Sequence, residues 1–203
     1  MKENVLIRKI LFIALCMSFS ACLQVFQQYF FYWRPVFFEE IWRLWTSHWV
    51  HVGWIHYLLN MIGLASLPFI FPYIRIRHLA FLLFVLPPLL SISFYFIYPS
   101  IEAYAGLSGI LHGMYVAIAI YFLKSKKERN FSILVLLLIL GKIIWENIFG
   151  SLDTAQMIGS PVLIEAHLMG VVWGSILSIL FLIHVYYRNY KKLASNQIEN
   201  NEN

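Results

Sequence analysis

Six apolar runs, each about long enough to cross a bilayer, leave this chain few folds to choose from. They cover residues 7–31, 54–74, 79–98, 107–123, 131–149 and 162–187. A helix needs about 20 predominantly apolar residues to cross the hydrocarbon core. Within that core every backbone N–H and C=O must find its partner inside the segment, so such runs read as helices. The pattern predicts an all-α polytopic membrane protein with six transmembrane helices. Hydrophobic residues make up 61% of the chain and charged residues only 12%, far from the balance of a soluble domain. A single membrane domain, 1–203, accounts for the whole chain, with 188–203 a polar tail that its composition marks as disordered beyond Ala194.

Charge placement orients the helices. With the N-terminus inside, the cytoplasmic segments carry Lys2, Arg8, Lys9, Arg75, Arg77, Lys124, Lys126, Lys127, Arg129, Arg188, Lys191 and Lys192. The other side carries only Arg34 and Arg43, and Lys142 falls within a span. This asymmetry predicts that both termini are cytoplasmic. It also argues against nucleic acid as the partner of the net +5 charge, because the cations sit in short clusters between spans. Cys16 and Cys22 are too few for a disulfide framework. The stretch ending Phe19-Ser20-Ala21-Cys22 loosely resembles a lipoprotein signal, but the apolar character continues to Trp33, long enough for a span.

The connections carry signals of their own. Residues 32–53 interleave Arg34, Glu39, Glu40 and Arg43 with Phe37, Phe38, Trp42, Trp45 and Trp49, a composition suited to the headgroup level. Pro87-Pro88 removes backbone donors from the third run and is expected to bend it. A polar loop with Gly150, Asp153, Gly159 and Pro161 separates the fifth run from the sixth.

Polar side chains at membrane depth are costly and tend to mark function. They occur here at Ser108 between Gly106 and Gly109, at His51, His56 and Asn60, and at His167. The predicted orientation puts these groups at one level, in the outer half of the bilayer. A serine becomes a nucleophile when a base takes its proton, and histidine is the usual base. Ser108 and His167 are the natural pair. Gly106, Gly109, Gly170 and Gly174 are small residues that let their helices approach. His56 and Asn60, four apart on one helix face, are suitable donors for a developing oxyanion, together with the Ser108 N–H at a helix start. No carboxylate adjoins His167 usefully, since Glu165 is two residues away and faces elsewhere on a helix. The reading is therefore a dyad. Nothing in the constellation calls for a metal or cofactor.

Taken together these residues resemble the rhomboid intramembrane serine proteases. The likeness rests on Trp42-Arg43, on His51 with His56 and Asn60, on Gly106-Leu107-Ser108-Gly109, and on Ala166-His167-Leu168-Met169-Gly170 followed by Gly174. It covers the chain from about Trp42 to Tyr187, with each motif in the right order. The resemblance implies a rhomboid-like bundle in which Ser108 is the nucleophile, His167 the base, and His56 and Asn60 the oxyanion donors. A narrower likeness is to the bacterial rhombosortases. It rests on Thr46-Ser47-His48-Trp49-Val50-His51, on Gly109-Ile110-Leu111-His112-Gly113, and on Lys142-Ile143-Ile144-Trp145-Glu146 leading to Glu165-Ala166-His167. It implies an inner (cytoplasmic) membrane enzyme with its site toward the periplasm. Its substrates would be exported proteins ending in a glycine-rich motif, one membrane helix and a basic cluster.

Plainer readings stand beside these. Ser108 alone could be a helix-packing serine. His51 reads as a group that ties down the first loop, and His112, one turn inward from Ser108, as a buried hydrogen-bonded support. Lys142 and Glu146, four apart, read as neutralising each other or snorkelling. Two other functions remain open: an inactive rhomboid-like binder of membrane helices, and a transporter lined by His51, His56, His112 and His167.

Overall fold

The structure, a computed structural model, describes residues 3–150 and 154–201; Lys2 and Asp153 lie outside the described residues. Eight α-helices follow one another there. They are α1 (Glu3–Gln24), α2 (Arg43–Thr46), α3 (Trp54–Ile70), α4 (Ile76–Ile97), α5 (Ser108–Phe122), α6 (Arg129–Phe149), α7 (Thr154–Ile158) and α8 (Ile164–Asn201). Four of them, α1, α4, α6 and α8, contain stretches long and apolar enough to cross a membrane. The apolar helices α3 and α5 are shorter, at 17 and 15 residues. The chain is a multi-pass membrane protein.

Helix α5 is the axis of the bundle. It packs against α3, α4, α6 and α8, and most of its side chains are buried. A helix apolar all round its circumference belongs in an interior, and this one occupies it. Its partnership with α8 is the most extensive in the fold and depends on glycine. A Cβ placed on Gly109 would lie 2.7 Å from the Ala166 carbonyl oxygen, and one on Gly113 would lie 2.8 Å from that of Gly170. From the other side, a Cβ on Gly170 would strike the Gly109 carbonyl, and one on Gly174 that of Gly113. Two glycine pairs of four-residue spacing therefore interlock, so the backbones touch where side chains would hold them apart. Ser178 extends the seam by donating to the Ala117 carbonyl at 2.8 Å.

Three elements depart from the expected layout, each for a local reason. The first apolar run is expected to continue to residue 31, but α1 stops at Gln24. There the Gln24 side chain clamps the His51 backbone, accepting from its N–H and donating to its carbonyl, each at 2.7 Å. The chain then turns through a 3-10 helix at Gln27–Tyr29 into a short strand, β1 (Tyr32–Trp33). This strand pairs antiparallel with β2 (Ala103–Tyr104), Tyr32 opposite Tyr104. Among the described residues an otherwise helical arrangement thus carries one small sheet, beside the start of α5. At the other end of the chain, α8 continues to Asn201, so the segment expected to be disordered is helical among the described residues. No glycine or proline follows Gly174 to interrupt it.

Pro87 and Pro88 lie inside α4 without ending it. Proline removes the hydrogen bond to the carbonyl four residues earlier. The Phe84 carbonyl, which Pro88 cannot reach, instead accepts the Trp45 indole N–H at 2.9 Å. One residue of the aromatic loop therefore repairs the helix that the prolines weaken. At the end of the same helix the Arg34 guanidinium donates to the carbonyls of Phe94 and Tyr95, at 3.2 and 2.8 Å. The loop is fastened to the bundle on both sides.

The glycine seam makes a contrast that thermal unfolding in detergent can check. Gly170→Ala drives a methyl into backbone and is expected to cost about 1–3 kcal/mol, lowering Tm by several degrees. Gly141→Ala in α6 meets nothing within 4 Å and is expected to leave Tm unchanged or raise it, since alanine favours a helix by about 1 kcal/mol.

Candidate active site

Ser108 is the first residue of α5, and the geometry just before it decides where its hydroxyl points. Gly106 has φ +148°, a backbone conformation that L side chains rarely adopt, and a Cβ there would lie 2.7 Å from the His56 ring. Its N–H donates to the Ser47 carbonyl at 3.1 Å, and its carbonyl accepts the Tyr104 hydroxyl at 2.7 Å. The chain therefore enters α5 along a braced path. The Ser108 N–H, in the first turn, makes no backbone hydrogen bond among the described residues and is available to a ligand.

The Ser108 Oγ lies 3.0 Å from His167 Nε2. His167, in the first turn of α8, is 4% exposed. The glycine seam of α5 and α8 begins within one turn of both residues, so the backbone contact fixes the side-chain pair. His112, one turn inward, uses its Nδ1 to reach the Ser108 carbonyl at 2.7 Å. Its ring stacks on His167 with centroids 4.2 Å apart and planes inclined by 22°.

The other nitrogen of His167 is occupied too, which the reading as a dyad does not foresee. Nδ1 lies 2.8 Å from Glu146 Oε2, and Glu146 is 1% exposed. The carboxylate's second oxygen is paired with the Lys142 ammonium. Lys142 and Glu146 do pair across one turn of α6, as expected, but that pairing leaves Oε2 free to face α8. The expectation that no carboxylate reaches His167 is thus corrected. The α6–α8 contact brings one from 21 residues away along the chain. Glu165, only two residues from His167 in sequence, makes no hydrogen bond to it among the described residues.

A cavity of about 280 Å³ opens beside the pair. His56, Asn60, Ser108, His112, Lys142 and His167 line it together with apolar residues including Leu111, Ile139 and Val162. Asn60 gives one amide hydrogen to the His56 carbonyl at 3.0 Å, as its i,i+4 spacing allows, and has a second to offer. The sequence-predicted groups Ser108, His167, His56 and Asn60 therefore meet at one place, at one end of the bundle. The basic residues Lys9, Arg75, Arg77, Lys124 and Arg129 belong to the opposite end, where Lys9 donates to the Pro72 carbonyl at 2.6 Å.

Other predicted residues play a more distant part. His51 packs behind His56, with ring centroids 5.1 Å apart, and does not line the cavity. Its loop-tying contacts are made by its backbone through Gln24, while both of its ring nitrogens are buried with no hydrogen-bond partner. Trp42 donates to the Tyr29 carbonyl at 3.3 Å. Arg43 pairs with Glu40 and donates to the Phe31 carbonyl at 2.7 Å. Both fasten the first loop to the segment that follows α1 and stay outside the cavity. Tyr104, not singled out in the sequence, stands buried beside Ser108 and Gly109, and burial pushes its phenol up to about 12. Only its position before the Gly106-Leu107-Ser108-Gly109 stretch hints at this.

The Rhomboid domain matches residues 39–184, more than half of the chain. The chain belongs to the rhomboid family. This family consists in general of intramembrane serine proteases. Among curated proteins, no match to the chain is found.

Beneath the site of this rhomboid domain lie histidines that burial keeps neutral. His48 bonds the Ser91 hydroxyl through Nε2 at 3.0 Å, and burial pushes it down to about 3. His51 is likewise pushed down to about 3, by burial first and the nearby His56 second. The unfolded chain takes up these protons near pH 6.5 and the folded protein does not. Their contribution is therefore present above about pH 6.5 and lost as pH falls toward 3. Tm in detergent is expected to drop between pH 7.5 and 5, with a shallower slope in His48→Gln.

Proposed function

We propose that this protein is an intramembrane serine endopeptidase, and one observation carries the reading. The Ser108 hydroxyl is hydrogen-bonded to a buried histidine at the wall of an apolar cavity inside a membrane bundle. In the proposed reaction His167 Nε2 takes the Ser108 proton as Oγ bonds to the scissile carbonyl carbon. The oxyanion so formed is met by the Ser108 N–H, the Asn60 amide and the His56 ring. As the C–N bond breaks, His167 returns its proton to the leaving amine. Water then attacks the acyl carbon while His167 takes its proton, and as the acyl C–Oγ bond breaks His167 returns that proton to Ser108 Oγ. The chain's own groups supply every proton transfer, so the proposed reaction needs no cofactor.

The cavity's composition supports a membrane substrate. Apolar side chains such as Leu111, Ile139 and Val162 form part of its wall, which suits an unwound apolar or glycine-rich segment. Glycine lowers helix stability by about 1 kcal/mol relative to alanine, which eases unwinding. The likeness to rhombosortases supports substrates with a C-terminal glycine-rich motif, a transmembrane helix and a basic tail. On this reading α3 and α5 complete six spans, both termini are cytoplasmic, and the site faces the periplasmic side of a bacterial inner membrane. The clustering of basic residues at the end opposite the site supports that orientation.

Fluorophosphonate labelling of the purified full chain tests the activity. The wild type is expected to label, and Ser108→Ala and His167→Ala are expected not to. Asn60→Ala is expected to label about 10²–10³-fold more slowly, the cost of one oxyanion donor. A folded wild type that never labels overturns the reading and leaves the inactive binder or the transporter. For the substrate class, a reporter carrying a glycine-rich tail, a membrane helix and a basic cluster is expected to be cut in membranes. The same reporter with the glycines replaced by leucine is expected to stay intact.

A further inference from the structure

Glu146 is a buried carboxylate inside the membrane bundle, and the proposed chemistry of Ser108 and His167 does not explain why it is there. A carboxylate and an ammonium are unfavourable in such a setting unless each is paired and hydrogen-bonded. The pair Lys142–Glu146 could satisfy itself on the lipid-facing side of α6. Instead Glu146 is 1% exposed and turns Oε2 to His167 Nδ1 at 2.8 Å, while Oε1 holds the Lys142 ammonium. Lys142 keeps 34% of its side-chain surface open and lines the cavity.

We propose that Glu146, held by Lys142, is a positioning residue that selects the tautomer of His167. The inference rests on the reading of Ser108 as nucleophile and His167 as base. An ionised carboxylate only accepts, so Nδ1 must carry the ring hydrogen, and the lone pair is left on Nε2. Nε2 is the nitrogen 3.0 Å from the Ser108 hydroxyl, where a lone pair is needed to take a proton. The ammonium of Lys142 lies 3.4 Å from Nδ1 and, as a pure donor, favours the opposite tautomer. Glu146 resolves that conflict by taking the ammonium on Oε1 and approaching Nδ1 more closely with Oε2. His112 adds an independent restraint. Its stacked ring fixes the plane in which His167 lies, and its own Nδ1 is anchored on the Ser108 carbonyl. When His167 takes the serine proton, the resulting imidazolium keeps its Nδ1–H on a carboxylate, and its added charge is balanced by the oxyanion formed on the substrate.

The ion pair yields a test that a merely structural carboxylate would fail. In Glu146→Gln the Lys142 ammonium claims the amide oxygen, which turns the amide NH₂ toward Nδ1. That donor imposes the Nε2–H tautomer, which cannot accept from Ser108. The second-order rate of fluorophosphonate labelling is therefore expected to fall about 10²–10⁴-fold, the scale on which a wrong tautomer slows a serine hydrolase. In Lys142→Met/Glu146→Gln the amide is free to present its oxygen to Nδ1. This double variant is expected to label at least tenfold faster than Glu146→Gln alone. A structural role predicts instead that the double variant is no better than the single one.

Failure of this inference can be told apart from failure of the activity. A wild type that does not label sinks the Ser108–His167 reading. A labelling wild type with Glu146→Gln within twofold of it overturns the role of Glu146 alone, as does a double variant that recovers nothing. Should Glu146→Gln fail to fold, ¹⁵N NMR of the imidazole nitrogens in the wild-type protein, with His167→Ala for assignment, still decides. A hydrogen on His167 Nδ1 is expected, and one on Nε2 overturns the proposal.

Discussion

The backbone contact between α5 and α8 is the constraint from which the rest of the arrangement follows. Apolar side chains gain little by leaving lipid for another apolar surface, so helix association in a membrane relies on close packing. Gly109 and Gly113 meet Gly170 and Gly174 with carbonyls where side chains would otherwise stand. That approach occurs within a turn of Ser108 and His167. A hydrogen bond of 3.0 Å between residues 59 apart in the chain is a consequence of four absent side chains.

Around this seam the loops act as braces. Gln24 clamps the His51 backbone, Trp45 takes a carbonyl that Pro88 leaves unpaired, and Arg34 caps the end of α4. Tyr104 and the Ser47 carbonyl hold Gly106 in a conformation that few other residues adopt. Each satisfies a backbone group that would otherwise lack a protein partner. The aromatic loop, which its composition marks as an interfacial anchor, is thus also the scaffold that aims the N-terminus of α5.

Much of the fold was legible because the bilayer imposes length and polarity on every segment. Six apolar stretches, the small residues and the polar groups at one depth all follow from that rule. The boundaries were less so. The aromatic stretch after Gln24 and the helical polar end of α8 have compositions that fit either outcome, and what decided them was a hydrogen-bond partner or the lack of a breaker. The strand pair is two residues long on each side, too short for any periodicity to announce.

The site divides along the same line. Sequence by itself determined that Ser108, His167, His56 and Asn60 belong together, because a polar side chain in an apolar run is costly and four of them at one depth call for a common reason. It also determined that Lys142 and Glu146 pair, since i,i+4 spacing puts them on one helix face. Only the tertiary structure decided where the second carboxylate oxygen goes. That depended on the rotation of α6 against α8, which packing sets and no local pattern records. A helix face is written in the sequence, but what the face meets is settled by the neighbouring helix.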